Sequence, residues 1–113
     1  MQDKQYFFHL NEVGSKQKRE GVVLKSITGN RSQLCLIRLA PGMETHHIHD
    51  HEQIGYILSG KVTLTIGKEI SERLQSGDGY YIPAKAEHGF SVSSDAELEY
   101  LEVFCPPKLE NDL

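Results

Sequence analysis

Five of the six histidines in this 113-residue chain are His46, His47, His49, His51 and His88, and four of them fall within six positions. Imidazole is the commonest protein ligand for late first-row divalent metals, and it binds as the neutral base. On an extended backbone alternate side chains share a face, so His47 and His49 can present their rings to one point, and Gln53 has the same parity. His51 shares that parity too, unless a turn or bulge before Gln53 turns it aside. His88, beyond Ile82-Pro83, could complete a site of three imidazoles and one amide oxygen. The alternative is a solvated histidine-rich loop, because neighbouring histidines need not converge on one atom.

A second group lies in the segment Leu98 to Cys105. Its alternation puts Leu98, Tyr100, Glu102 and Phe104 on one face, and Glu99, Leu101, Val103 and Cys105 on the other. Each face therefore carries a glutamate, and periodicity alone does not choose between them. If the first face points inward, Glu102 sits in apolar surroundings near a cation, where a carboxyl becomes a candidate general acid or base. Tyr100 and Phe104 would then line a substrate pocket. Tyr80 and Tyr81 read as one inward and one outward packing residue. Arg19, Lys25 and Arg38 read as solvated cations, and Asp78 as a turn residue that caps backbone amides.

The elements that must position these groups are strands. Runs of alternating or apolar β-formers recur between turn signals, and no sustained helical period is present. Strands are predicted at Tyr6 to His9, Gly21 to Thr28, Gln33 to Ala40, Gln53 to Leu58, Lys61 to Ile66, Gly79 to Ile82, Gly89 to Val92 and Leu98 to Cys105, with turns such as Pro41-Gly42, Ser59-Gly60 and Gly67-Lys68 between them. Eight short strands at this spacing imply an all-β barrel or jelly roll that closes its own sheet edges. The run Gln53 to Leu58 is apolar on both faces, with Ile54, Tyr56 and Leu58 on one side and Gly55 and Ile57 on the other. Such a strand must be covered twice. One cover is the barrel interior, and a second subunit is the expected other, which predicts a homodimer.

Length allows one domain over residues 1–113. Twelve Lys and Arg against sixteen Asp and Glu give a net charge of −4, and the only basic cluster is Lys16, Lys18 and Arg19, which excludes a nucleic-acid footprint. No apolar run reaches the length of a membrane span. Cys35 and Cys105 are far apart in apolar runs, and the N-terminal MQDKQYFFHL carries no apolar leader, so free thiols in a cytoplasmic protein are expected. The stretch Glu110-Asn111-Asp112 reads as a frayed acidic tail.

Over about residues 34–107 the sequence resembles the small single-domain cupins, whose two motifs read G-x5-H-x-H-x3,4-E-x6-G and G-x5-P-x-G-x2-H-x3-N. Gly42, His47, His49, Gln53 and Gly60 occupy the first, and Gly77, Pro83 and His88 the second. The step from Gly42 to His47 is one residue short, the usual Glu is Gln53, and Lys85 and Val92 replace a Gly and an Asn. The short step leaves His46 and His51 open as substitutes in the ligand set. The resemblance implies a double-stranded β-helix, or jelly-roll, barrel holding one divalent transition metal (Mn, Fe, Co, Ni, Cu or Zn) on His47, His49, Gln53 and His88.

Within the cupins, His49-Asp50-His51-Glu52-Gln53-Ile54-Gly55-Tyr56 and the ending Glu102-Val103-Phe104-Cys105-Pro106-Pro107 are most similar to the KdgF-type subgroup. Its members linearise unsaturated uronates and carry a proton-transferring Asp where this chain has Glu102. An amide ligand removes no charge from the metal, which favours Lewis-acid polarisation of a substrate oxygen over redox chemistry. The resemblance therefore implies an isomerase-like enzyme for a small sugar acid or other oxygen-rich substrate. A metal-dependent dioxygenase and a non-catalytic sugar-binding cupin are the rivals.

Overall fold

The computed structural model describes residues 5–112; residues 1–4, where the N-terminal stretch read as leaderless begins, and Leu113 lie outside the described residues. Among the described residues nine strands form two antiparallel sheets. They are β1 (Lys16–Arg19), β2 (Val22–Thr28), β3 (Gln33–Leu39), β4 (Glu52–Ser59), β5 (Lys61–Ile66), β6 (Ile70–Gln75), β7 (Gly79–Ile82), β8 (His88–Val92) and β9 (Leu98–Cys105). One sheet runs β1-β2-β3-β9-β4-β7 and the other β6-β5-β8. This is the all-β jelly-roll barrel expected from the spacing of strands and turns.

The inner faces of both sheets supply one core. Val22, Leu24, Ile37, Leu39, Ile57, Leu98 and Tyr100 come from the larger sheet, and Val62, Leu64, Phe90 and Val92 from the smaller. Each fully buried side chain of this kind contributes about 1.5–3 kcal/mol of transfer free energy. Strand β9 alternates strictly between buried and half-buried residues, which settles the choice left open by its periodicity: Glu102 points inward and is 3% exposed.

Strand β4 buries Gln53, Gly55 and Ile57 and leaves Ile54 and Tyr56 about half exposed on the outer face. That outer face continues through half-buried Leu34, Leu36, Leu101 and Val103 to exposed Tyr81. Within one chain, then, the strand receives only one of its two covers.

Three expectations differ from the structure. Tyr6 to His9 is not a strand: the chain there precedes a short 3-10 turn at Leu10–Glu12, and Tyr6 and Phe7 are exposed. Strand β6 was not anticipated because its sequence Ile-Ser-Glu-Arg-Leu-Gln buries only Leu74; it forms by full backbone pairing with β5 across the Gly67 turn. Strand β1 was read only as a basic cluster, yet it pairs with β2 at the sheet edge. Charged residues on β1 and β6, one edge of each sheet, fit the rule that exposed edges resist pairing with other chains.

Candidate metal centre

The segment after β3 is sewn to β8 by backbone hydrogen bonds. His47 N–H donates to the His88 carbonyl at 2.8 Å and His88 N–H returns to the His47 carbonyl at 3.0 Å, while Thr45 N–H bonds Phe90 O at 2.9 Å. Gly89 permits this approach, since a Cβ there would collide with the Thr45 carbonyl. On the other side Lys85 N–H holds the His49 carbonyl at 2.9 Å. Lys85 adopts φ 67°, the left-handed conformation that suits the glycine of the second motif. The histidine loop is thus fixed at both ends.

These anchors bring three rings together. Centroids are 6.0 Å apart for His47 and His49, 5.8 Å for His47 and His88, and 5.0 Å for His49 and His88. All three rings and Gln53 line one cavity of about 400 Å³. His46 turns away: its ring is mostly exposed and pairs with Glu87 at 2.9 Å, which removes it from the set. His51 packs edge-on against His49 at 5.0 Å and near Phe104 at 6.1 Å, while the cavity lining passes from His49 to Gln53 without it.

The electrostatics suit cation binding. Burial, followed by the charge of Lys108, lowers the pKa of His47 and of His49 to about 4, so both rings are neutral at pH 7. Burial lowers His88 as well, and its Nδ1 lies 2.9 Å from the Ala86 carbonyl. A proton on that nitrogen leaves the lone pair on Nε2. Two buried atoms on the set have no partner, His49 Nδ1 and Gln53 Oε1; His51 Nδ1 is a third beside it. A buried acceptor without a donor costs about 1–3 kcal/mol, and a metal ion would relieve that cost. Among the described residues no three His, Cys, Asp or Glu side chains are drawn into a finished coordination sphere. The donor chemistry nevertheless fits: three neutral imidazoles and an amide oxygen, none of them needing to lose a proton.

A family model of the cupin domain matches residues 35–104, which contain every residue of this cluster. The chain belongs to the cupin family. This cupin is 26% identical over 103 residues, 89% of its chain and 96% of the other, to a protein of uncharacterised function from Streptomyces coelicolor. Its fold is similar to that of KdgF from a Halomonas species, with TM-score 0.84 and 22% identity over 93% of this chain and 98% of that one. An RmlC-like cupin from Shewanella frigidimarina superposes with TM-score 0.84 at 19% identity, covering 96% of each chain.

Beside the histidines the cupin barrel places Glu102. Burial pushes its pKa up to about 7, against the lowering effects of hydrogen bonds from Tyr80 and Gln53 and the charge of Lys108. Tyr100 and Phe104 also line the cavity, as the face of β9 requires.

Sequence reasoning missed Lys108 and misread the segment around it. Lys108 is 9% exposed, lines the cavity, and lies 5.7 Å from the Phe104 ring centroid and 3.7 Å from Glu110. Lys18 and Arg19 line the same cavity from β1. The stretch read as a frayed tail is docked: Asn111 is 2% exposed and donates to Gln33 Oε1 at 3.2 Å. Nothing in its polar composition signals that contact, which depends on the buried polar end of β3. The other cations follow the expectation of ordinary surface groups, with Arg38 exposed and Lys25 bonded to the Leu10 carbonyl. Asp78 accepts from Gln75 N–H, as its turn position predicts.

Proposed function

We propose that this cupin is a metal-dependent isomerase for a small sugar acid or similar oxygen-rich substrate, with ring opening of an unsaturated uronate as the sharpest form. His47, His49, Gln53 and His88 would hold one divalent transition metal. Bound there, the ion supplies Lewis-acid polarisation of substrate oxygens.

One observation carries the reading, the placement of Glu102. A carboxyl buried in the wall of the cavity, with a pKa near neutrality, exists in both protonation states at pH 7 and can take a proton from one substrate atom and return it to another. Lys108, with Lys18 and Arg19 nearby, supplies positive charge for a substrate carboxylate. Phe104 and Tyr100 present apolar surface that keeps water from the reacting atoms. A cytoplasmic location belongs to the same reading.

The test is turnover of unsaturated uronates by the metal-supplemented protein, followed by NMR, beside Glu102→Gln. A loss of about 10²–10⁴-fold in rate is expected for the variant. Full activity in Glu102→Gln would overturn the role of that carboxyl. Metal-dependent oxygen uptake would assign a dioxygenase instead, and binding of sugar acids without turnover a non-catalytic module.

A further inference from the structure

A row of three residues crosses the inner face of the larger sheet. Tyr80 on β7 is opposite Gly55 on β4, and Gly55 is opposite Glu102 on β9. Two strands separated by a third lie about 9–10 Å apart, beyond the reach of ordinary cross-strand neighbours. Here the middle position carries no side chain. A Cβ on Gly55 would fall within the Tyr80 ring, so the ring lies over bare backbone. Tyr80 thereby crosses β4 and donates its Oη hydrogen to Glu102 Oε2.

The Gln53 side chain, one inward position along β4 from Gly55, is a diagonal neighbour of Glu102 on the same cavity wall, and hydrogen bonding to it lowers the pKa of that carboxyl. Gln53 Oε1 has no partner, so the end of the amide that meets the carboxyl is the NH2, a donor. The other end, Oε1, is left buried and unpartnered on the wall shared with His47, His49 and His88. The two ends of an amide are nearly equal in size, and packing alone does not choose between them. Only the oxygen can ligate a cation.

We propose that Tyr80 is a positioning residue for the metal centre: reaching across Gly55, it anchors Glu102, and Glu102 fixes the Gln53 amide with its oxygen toward the three histidines. The proposal rests on the reading that His47, His49, Gln53 and His88 hold the ion. It gives Glu102 a structural task in addition to proton transfer, and it explains why a tyrosine that composition marks as packing ends on a buried carboxylate.

The experiment is a competition titration of a divalent metal, zinc or manganese, against a chromophoric chelator on the intact chain. Tyr80→Phe removes only the hydroxyl. Glu102→Gln replaces an acceptor by an amide that can offer Gln53 either end. Each is expected to bind metal about 10–100-fold more weakly than the wild type, the usual effect of losing a partner of a metal ligand. The exchange variant Gln53→Glu with Glu102→Gln restores the pattern in reverse: the hydroxyl meets the amide oxygen at 102, the amide NH2 meets the carboxylate at 53, and a carboxylate oxygen faces the ion. Its affinity is expected to return to the wild-type level or above.

A merely structural Tyr80 would lower the melting temperature without moving the affinity. Should Tyr80→Phe fail to fold, Glu102→Gln and the exchange variant still decide. The proposal is overturned if folded Tyr80→Phe and Glu102→Gln bind within twofold of the wild type, or if the exchange variant binds no better than Glu102→Gln. A wild-type chain that binds no metal gives a different result: it removes the metal reading, and the proposal with it.

Discussion

The ammonium of Lys108 lies 5.7 Å from the centre of the Phe104 ring, so the segment after β9 sets a cation against the aromatic wall of the cavity. Burial, and then the charge of Lys18, lowers the pKa of this lysine, while Glu110 at 3.7 Å and Glu102 raise it; an anion in the cavity would favour its charged form in the same way. A hydrogen bond to a charged group is worth about 1.5–3 kcal/mol. Lys108→Met, which keeps the stem and removes the charge, should therefore raise KM for a carboxylate substrate about 10–100-fold with a smaller change in kcat. An analogue with the carboxylate reduced to an alcohol should not distinguish the two proteins. Equal KM values for the acid would remove Lys108 from substrate binding.

Metal-free protein should lose stability on acidification. His47 and His49 have folded-state pKa values of about 4, below the 6.5 of the unfolded chain, so between these values the unfolded state binds more protons. The contribution of these two rings is greatest above pH 6.5 and falls as pH drops from 6.5 toward 4; Glu102, raised from 4.5 to about 7, offsets part of it between those values. Thermal melts of chelator-treated protein across that window should show the decline, and His49→Ala should flatten it. A melting temperature independent of pH from 7 to 4 would mean that these rings are not buried as described.

Gly55→Ala should destabilise the barrel, because the new methyl competes with the Tyr80 ring for the same space. Overpacking of this kind costs about 1–3 kcal/mol. The loss should be smaller in a Tyr80→Ala background, where the ring is gone, so the double variant should be more stable than the sum of the singles predicts. Urea denaturation of the four proteins checks this, and strict additivity would argue that the two residues do not meet.

For the outer face of β4 and its neighbours we propose a second copy of the same chain as cover. Ile54, Tyr56 and Tyr81 are each about half exposed on a face that continues through half-buried Leu34, Leu36, Leu101 and Val103, an apolar surface that a copy related by a twofold axis would cover, with Glu52 at its edge. Light scattering on purified protein should give the dimer mass, and Tyr56→Glu should shift it toward the monomer. A monomer at high micromolar concentration would exclude a stable dimer.

Legibility in the sequence followed the physics of each element. The bounds of β5, β7 and β9 match the predicted runs because their period-two pattern is set by one buried face. Strands β1 and β6 escaped notice because edge strands need only backbone partners, and their side chains report solvent rather than a core. Tyr6 to His9 shows the converse: β-forming residues with no sheet edge to join. At the site, parity brought out His47, His49 and Gln53 but admitted His51 equally, which a bend at Asp50 separates from them, and the distant His88 came from the second motif. The inward turn of Glu102 required the sheet. Tyr80 was legible only as one of an inward and outward packing pair, because its reach across Gly55 depends on the sheet, and Lys108 not at all, because local pattern does not set the path of the segment after β9 over the cavity.

The most direct measurement is the metal content of untagged protein by elemental analysis, beside His49→Ala. The account predicts close to one divalent transition ion per chain in the wild type and loss of that ion in the variant. A wild-type chain that remains metal-free after supplementation would contradict it and reduce the histidine cluster to a set of neutral rings in the wall of a binding cavity.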